Sequence, residues 1–208
     1  MNKFPKGATA ITVIFLIILA DQIVKVWVKT NMYLTESIEI TSWFSISFVE
    51  NPGMAFGLEV IGKLFLSIFR IIAVVFISYY LYLLVQKGYK HGFIACIALI
   101  LAGAFGNIID SVFYGVVFSE STPYQIASFV PIGEGYGSWL HGKVVDMFYF
   151  PLFDGTYPSW FPFIGGDRFV FFSAIFNIAD SAITVGTILI LLFYRKTLLD
   201  SFQSDAKK

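Results

Sequence analysis

Four long runs of apolar residues constrain this chain more than any other feature of its sequence. They cover approximately residues 8–28, 64–85, 93–114 and 169–194. A bilayer core is about 30 Å thick, and a helix of roughly 20 apolar residues spans it. A helix also satisfies its own backbone hydrogen bonds, which lipid cannot do. The first run resembles the core of a cleavable signal peptide, but its pattern continues through Trp27, which favours a retained span. We therefore predict an all-α integral membrane protein with four transmembrane helices.

The composition agrees with a membrane location and excludes several kinds of site. Apolar residues make up 57% of the chain and charged residues only 13%, whereas soluble domains carry about 25% charged residues. Acidic and basic side chains balance at 14 each, which argues against a nucleic-acid partner. The single cysteine excludes an internal disulfide and a multi-cysteine metal site, and the HExxH zinc motif is absent. We expect no cofactor.

Basic residues predict the orientation of the spans. Lysine and arginine cluster in the N-terminal tail, in the short turn between the second and third spans, and in the C-terminal tail. Four spans place these segments on one side, which the positive-inside rule identifies as the cytoplasm. The connections 29–63 and 115–168 then lie outside, and within them 42–50 and 143–150 have the pattern of short strands. We expect a small extracytoplasmic β-containing layer on one membrane-embedded domain covering 1–208.

Polar side chains inside the apolar segments point to a functional site. Asn107 with Asp110, and Asn177 with Asp180, form two N-x-x-D motifs whose spacing places amide and carboxylate on one helix face. A carboxylate in mid-membrane costs about 2.5–3.5 kcal/mol, whereas an interhelical hydrogen bond contributes only about 0.6 kcal/mol. Structural cross-linking alone therefore does not explain them. Counted from the start of its segment, Asp180 is expected roughly 16 Å along the helix axis.

Other charged residues of the spans are interpreted as structural. Asp21 and Lys25 lie four residues apart, so we expect an ion pair on one face of the first helix. Arg70 lies early in the second span, where we expect it to extend to the outer interface or to form a structural pair.

Three aspartates on the outer side, Asp110, Asp146 and Asp180, are candidates for a catalytic pair. Two carboxylates held close together cannot both ionise cheaply, so one keeps its proton. Such a pair supplies a base that activates a water and an acid that protonates a departing amine. The residues alone do not select two of the three. The chief alternative is a proton-coupled small membrane transporter that uses the intramembrane aspartates.

Five motifs carry a resemblance to a known family. In chain order they are LADQIVKVWV, ENPGMAFG, AGAFGNIIDS, GKVVDMF and FNIADSAITVG, and they extend over most of the chain. Together they resemble bacterial lipoprotein signal peptidase (signal peptidase II), a family of four-helix membrane aspartyl peptidases. The resemblance implies an endopeptidase of the bacterial cytoplasmic (inner) membrane that removes the signal peptide of prolipoproteins. It implies cleavage before a cysteine that already carries diacylglycerol.

The resemblance also implies roles for single residues. Asp146 and Asp180 match the catalytic pair, and Asp21 and Lys25 match the D-x-x-x-K of the first helix. Five residues match positions that line the substrate groove or orient the site and the substrate: Asn51, Gly53, Asn107, Asp110 and Asn177. The implied partners are the lipidated prolipoprotein and membrane lipids. The chain is expected to be a monomer without a nucleic-acid partner, cofactor or metal.

Two features depart from the family pattern. The family usually has an arginine directly after the aspartate of the third helix, where this chain has Ser111. We consider Lys143 and Arg168 as replacements for that arginine. The outer connection 115–168 is also longer than is usual for the family, and we interpret 118–139 as a substrate lid or a partner surface.

Overall fold

The computed structural model describes residues 5–52 and 63–205. In that part of the chain, four helices are long and apolar enough to cross a membrane: α1 (Lys6–Asn31), α2 (Lys63–Gln86), α3 (His91–Val117) and α4 (Ile178–Gln203). The first three contain the segments predicted as spans, and the fourth overlaps its segment. The prediction of four membrane-spanning helices is confirmed.

α3 lies at the centre of the bundle and packs against the other three helices. Small residues allow its close approach to α4. A Cβ atom on Gly103 would lie 2.2 Å from the carbonyl oxygen of Ala179, and one on Gly186 would lie 2.7 Å from the carbonyl oxygen of Cys96. Backbone contact through small residues is a common way for helices to associate in lipid. α3 is mostly buried, while the other helices expose many large apolar side chains.

A small antiparallel sheet is built from the segments between the helices. Its strands are β1 (Ser37–Thr41), β2 (Phe44–Asn51), β3 (Val144–Tyr149) and β6 (Ile175–Phe176), in the spatial order β1-β2-β3-β6. Two further strands, β4 (Phe153–Thr156) and β5 (Arg168–Phe171), form a separate antiparallel pair. β2 and β3 confirm the two strands predicted from the sequence. Their inner face, with Phe48, Val145 and Met147, packs with Val28 of α1 and Phe118, which fixes the sheet to the bundle.

α4 begins later than the predicted residue 169. Residues 168–171 and 175–176 form strands β5 and β6 instead. Asn177 is the N-cap of the helix: its side chain accepts a hydrogen bond from the backbone N–H of Asp180, and the Asp180 carboxylate accepts one from the backbone N–H of Asn177. This capping box sets the helix start. The prediction failed because a short apolar run does not distinguish a strand from the first turns of a helix.

Candidate active site

Asn177 joins the two carboxylates that the family resemblance assigns to catalysis. Its Nδ2 donates to Oδ1 of Asp146 in β3 at 2.7 Å, and its backbone N–H donates to Oδ2 of Asp180 in α4 at 3.4 Å. Asn107 of α3 donates from Nδ2 to Oδ1 of Asp180 at 2.8 Å. The strand β3, the helix α3 and the start of α4 therefore bring these four side chains to one place.

The position expected for Asp180 along its helix is wrong. Asp180 lies in the first turn of α4, three residues after the N-cap Asn177, and not in the middle of a long helix. Its carboxylate lies at the end of the helix where unpaired N–H groups give a partial positive charge. Asn177 and Asp180 thus lie at a helix terminus. The Asp180 carboxylate therefore avoids the free-energy cost of a carboxylate in the middle of a membrane helix.

Asp110 is held by a dense set of polar partners. It is completely buried, and its Oδ2 lies 2.8 Å from Nζ of Lys25. Gln22 donates to its Oδ1 at 3.0 Å, and the backbone N–H of Val145 donates to its Oδ2 at 3.2 Å. Lys25 also pairs with Asp21 at 2.9 Å, which confirms the ion pair predicted from their spacing. This environment, with Lys25 as an ion-pair partner, is that of a structural carboxylate.

Asp146 and Asp180 differ from Asp110 because neither forms a salt bridge with a described residue. Burial and the neighbouring Asp180 carboxylate raise the pKa of Asp146 to about 7, although Asn177 and Asn51 both donate hydrogen bonds to it. Asp146 therefore keeps its proton in a substantial fraction of molecules at neutral pH.

Helix α1 orients the groups around the two carboxylates. Lys25 donates to Oδ1 of Asn107 at 2.9 Å, and Oδ1 of Asp21 accepts the backbone N–H of Ala179 at 2.9 Å. A Cβ atom on Gly106 would lie 2.8 Å from Oδ2 of Asp21, so glycine makes room for this contact. The sequence analysis missed Gln22, whose spacing of three residues from Lys25 was the available signal.

A second buried cluster, which the sequence analysis also missed, lies between α1 and the sheet. Lys29 is fully buried, pairs with Glu50 of β2 and donates to Oγ of Ser121 at 2.9 Å. Lys143 lies 3.0 Å from the other Glu50 oxygen. Burial acts against ionisation, but the two lysines outweigh it and hold the pKa of Glu50 below its ordinary value. The cluster ties β2 and the start of segment 118–139 to α1; the interpretation of that segment as a lid or partner surface stays a prediction.

Arg70 of α2 is the basic residue that contacts Ser111. Its Nη1 donates to Oγ of Ser111 at 3.1 Å. Neither residue considered as a replacement lies there: Lys143 belongs to the cluster with Glu50, and Arg168 pairs with Asp154 on the exposed strands β4 and β5. The basic side chain that contacts Ser111 therefore comes from α2. We had expected Arg70 to extend to the outer interface or to form a structural pair.

Two concave regions lie in this part of the protein. A narrow polar cleft has Asn51, Arg70 and Ser111 among its lining residues. An apolar pocket with an empty volume of about 710 Å³ has Asp180 in its wall together with aromatic and aliphatic side chains. Gly53, which the resemblance places in the substrate groove, lies outside the described residues. Among those described, no three His, Cys, Asp or Glu side chains are grouped so that they could hold a metal ion.

Known proteins resemble the chain along its whole length. The family described as signal peptidase (SPase) II matches residues 13–195. A lipoprotein signal peptidase of Porphyromonas gingivalis is 52% identical over 100% of this chain and 91% of its own length. One from Amoebophilus asiaticus is 36% identical over 90% of this chain and 78% of its own length. A solved structure described as "Bacterial membrane enzyme structure by the in meso method at 1.9 A resolution" has a TM-score of 0.58 and 27% identity, covering 88% of this chain and 90% of that chain.

Proposed function

The chain belongs to the signal peptidase II family, and on that premise we propose that Asp146 and Asp180 are the pair with which it cleaves its substrate. As a member of this family it is a multi-pass membrane protease of the aspartic type that removes the signal peptide from prolipoproteins. Membership of a peptidase family favours this activity over the alternative function of a proton-coupled transporter.

The two aspartates take opposite protonation states in this proposal. Burial and Asp180 raise the pKa of Asp146 to about 7, so Asp146 is the member that carries the proton. Asp180 accepts hydrogen bonds from Asn107 and from the backbone of Asn177 at a helix N-terminus, which stabilises a negative charge. Asp180 takes a proton from water as the water oxygen attacks the scissile carbonyl, and Asp146 gives its proton to the departing amine.

One observation carries the assignment. Asn177 contacts both Asp146 and Asp180, and neither carboxylate forms a salt bridge with a described residue, whereas Asp110 is paired with Lys25. An aspartate that must exchange protons during each turnover needs a neighbouring acid and an accessible oxygen rather than a permanent ion pair. Asp110, Asn107 and Asn177 then orient the pair, and Asn51 and Gly53 line the approach of the substrate.

The substrate is proposed to approach from the outer leaflet. Both termini lie in the cytoplasm in this arrangement, and the sheet and the active site lie on the outer side of the bacterial cytoplasmic (inner) membrane. The lipidated cysteine of the prolipoprotein places its acyl chains in the leaflet and its peptide bond near the interface. The apolar pocket beside Asp180 offers an apolar surface next to a carboxylate. The chain acts as a monomer that contacts substrate and membrane lipids but no nucleic acid.

Turnover of a diacylglyceryl-modified prolipoprotein by purified Asp146→Asn and Asp180→Asn variants tests the pair. Asparagine keeps the size of aspartate but cannot exchange a proton. General acid–base help is worth about 10²–10⁴-fold, so each variant should lose at least about 100-fold in turnover. The double variant should be little worse than either single one, because groups that act as a unit are not additive.

Asp154→Asn is the matched control because Asp154 is an exposed aspartate of β4, and it should retain full turnover. Substantial turnover by Asp146→Asn together with an inactive Asp110→Asn would assign the pair to Asp110 and Asp180 and contradict the proposal.

A further inference from the structure

Arg70 has more hydrogen-bonding capacity than its contacts with the described residues use. A guanidinium carries five N–H donors, and the contact that the described residues provide is the 3.1 Å bond from Nη1 to Ser111. No carboxylate of that part of the chain forms a salt bridge with it. The side chain is half-buried. A partly buried cation whose donors are used so little by the described residues is suited to bind a further hydrogen-bond acceptor.

Ser111 fixes the direction of the guanidinium. The Ser111 hydroxyl donates to the carbonyl oxygen of Asn107 at 2.9 Å, so its oxygen is left to accept from Arg70. The backbone N–H of Gly142 in turn donates to the carbonyl oxygen of Ser111 at 2.9 Å. This chain of bonds connects Arg70 to α3 and to the loop before β3. The bond to Ser111 thereby restrains the guanidinium, and no described carboxylate forms a salt bridge with it.

The guanidinium lies near the catalytic pair, close enough to Asp180, Asp110 and Asp146 to interact electrostatically with each of them. Asp110 already has Lys25 as an ion-pair partner, whereas Asp180, the ionised member of the proposed pair, forms no salt bridge among the described residues. Arg70 also lines the polar cleft together with Asn51, which hydrogen-bonds Asp146. A peptide group bound between Arg70 and the two aspartates would present its carbonyl oxygen to the guanidinium.

We infer that Arg70 binds the carbonyl oxygen of the scissile peptide bond and stabilises the negative charge that this oxygen acquires during cleavage. This inference rests on the proposed catalytic pair. As the water oxygen bonds to the carbonyl carbon, Asp180 receives the water proton and the carbonyl oxygen becomes an oxyanion beside Arg70. The carbon–nitrogen bond then breaks, the oxyanion collapses to the new carboxyl group, and the amine leaves with the proton of Asp146. Charge that develops at a fixed cation in a partly buried site is strongly stabilised.

Arg70→Gln tests the inference because it removes the charge but keeps a polar side chain of moderate length. Loss of one oxyanion donor lowers kcat by about 10²–10³-fold in other enzymes, so kcat should fall by about 100-fold while KM changes less than about threefold. Arg168→Gln removes a positive charge from the exposed ion pair with Asp154 and should leave both constants unchanged.

Moving the cation separates a catalytic role from a structural one. In the double variant Arg70→Gln/Ser111→Arg, a guanidinium returns to the same cleft from α3, and kcat should recover at least tenfold over the single variant. Melting temperatures of both proteins are measured alongside, and the single variant should stay within a few degrees of the parent chain. A kcat for Arg70→Gln within threefold of the parent, a change confined to KM, or no recovery in the double variant would each overturn the inference. Retained turnover in Asp146→Asn or Asp180→Asn would instead contradict the catalytic pair, independently of these variants.

Discussion

Replacing Asp146 by asparagine should stabilise the folded protein while abolishing its activity. Burial and the Asp180 carboxylate raise the pKa of Asp146 from 3.8 to about 7. Below about pH 4 both the folded and the unfolded chain hold this proton. Between about pH 4 and pH 7 the unfolded chain releases the proton first, so the stability of the parent protein falls as the pH rises. Asparagine has no proton to release and avoids this loss.

The size of the effect follows from the difference between the two pKa values. Each pKa unit corresponds to about 1.4 kcal/mol, so the ionised side chain costs the folded state about 4 kcal/mol above pH 7. For a chain of this size 1 kcal/mol shifts the melting temperature by roughly 2–4 °C, which gives an increase of roughly 10 °C for Asp146→Asn at pH 8. At pH 4 the two proteins should melt within about 2 °C of each other on the same grounds.

Thermal unfolding of the purified proteins in detergent micelles, followed at pH 4, 6 and 8, measures this difference. Asp154→Asn serves as the control, because the hydrogen bond and charge of Arg168 lower the pKa of the exposed Asp154, and its replacement should not raise the melting temperature at any pH. A melting temperature of Asp146→Asn that equals that of the parent at pH 8, or a gain that is the same at pH 4 and pH 8, would refute the reasoning that Asp146 is a buried carboxyl with a raised pKa.

Three further outcomes are expected. Ser111→Ala should reduce turnover far less than Asp110→Asn, because Asp110 is buried with several partners whereas Ser111 only orients Arg70; equal and large losses in a cleavage assay would contradict this. A cysteine introduced at Glu134 in a Cys96→Ser background should react with an impermeant maleimide in intact spheroplasts, and protection would place 115–168 on the cytoplasmic side. Gly106→Ala should lower the melting temperature, since its Cβ would lie 2.8 Å from the Asp21 carboxylate; an unchanged value would show that α1 shifts at little cost.

The spans and the two central strands could be predicted because their physical signals are local. A run of about 20 apolar residues has few alternatives to a membrane helix. The alternating start of β2 is characteristic of a strand, and the short apolar run of β3, with its valines and aromatic residues, is consistent with one. The start of α4 could not be placed this way, since the residues of β5 and β6 are as apolar as a helix. The N-cap role of Asn177 was visible in principle: an asparagine three residues before an acidic side chain is a capping signal.

The candidate site was predicted less completely than the fold. The residues alone left Asp110, Asp146 and Asp180 as equal candidates, and the selection of Asp146 and Asp180 came from the family resemblance. The tertiary contacts distinguish Asp110, because its pairing with Lys25 joins residues from different helices. The contact of Arg70 with Ser111 was missed for the same reason. Arg70 and Ser111 are 41 positions apart in sequence, and a local sequence pattern does not predict a contact over that separation.

The charged face of α1 also sets the order in which the bundle can be completed during synthesis. Asp21 neutralises Lys25 locally, but the Asn107 partner of Lys25 is made 82 residues later, and the Ser121 partner of Lys29 follows after 92 residues. Until α3 leaves the ribosome, this face of α1 cannot be surrounded by acyl chains without a large penalty. α1 is therefore expected to remain beside the translocation channel while α2 passes, and to move into the bilayer together with α3. Biogenesis of this protein would then proceed by pairs of helices and not by one helix at a time.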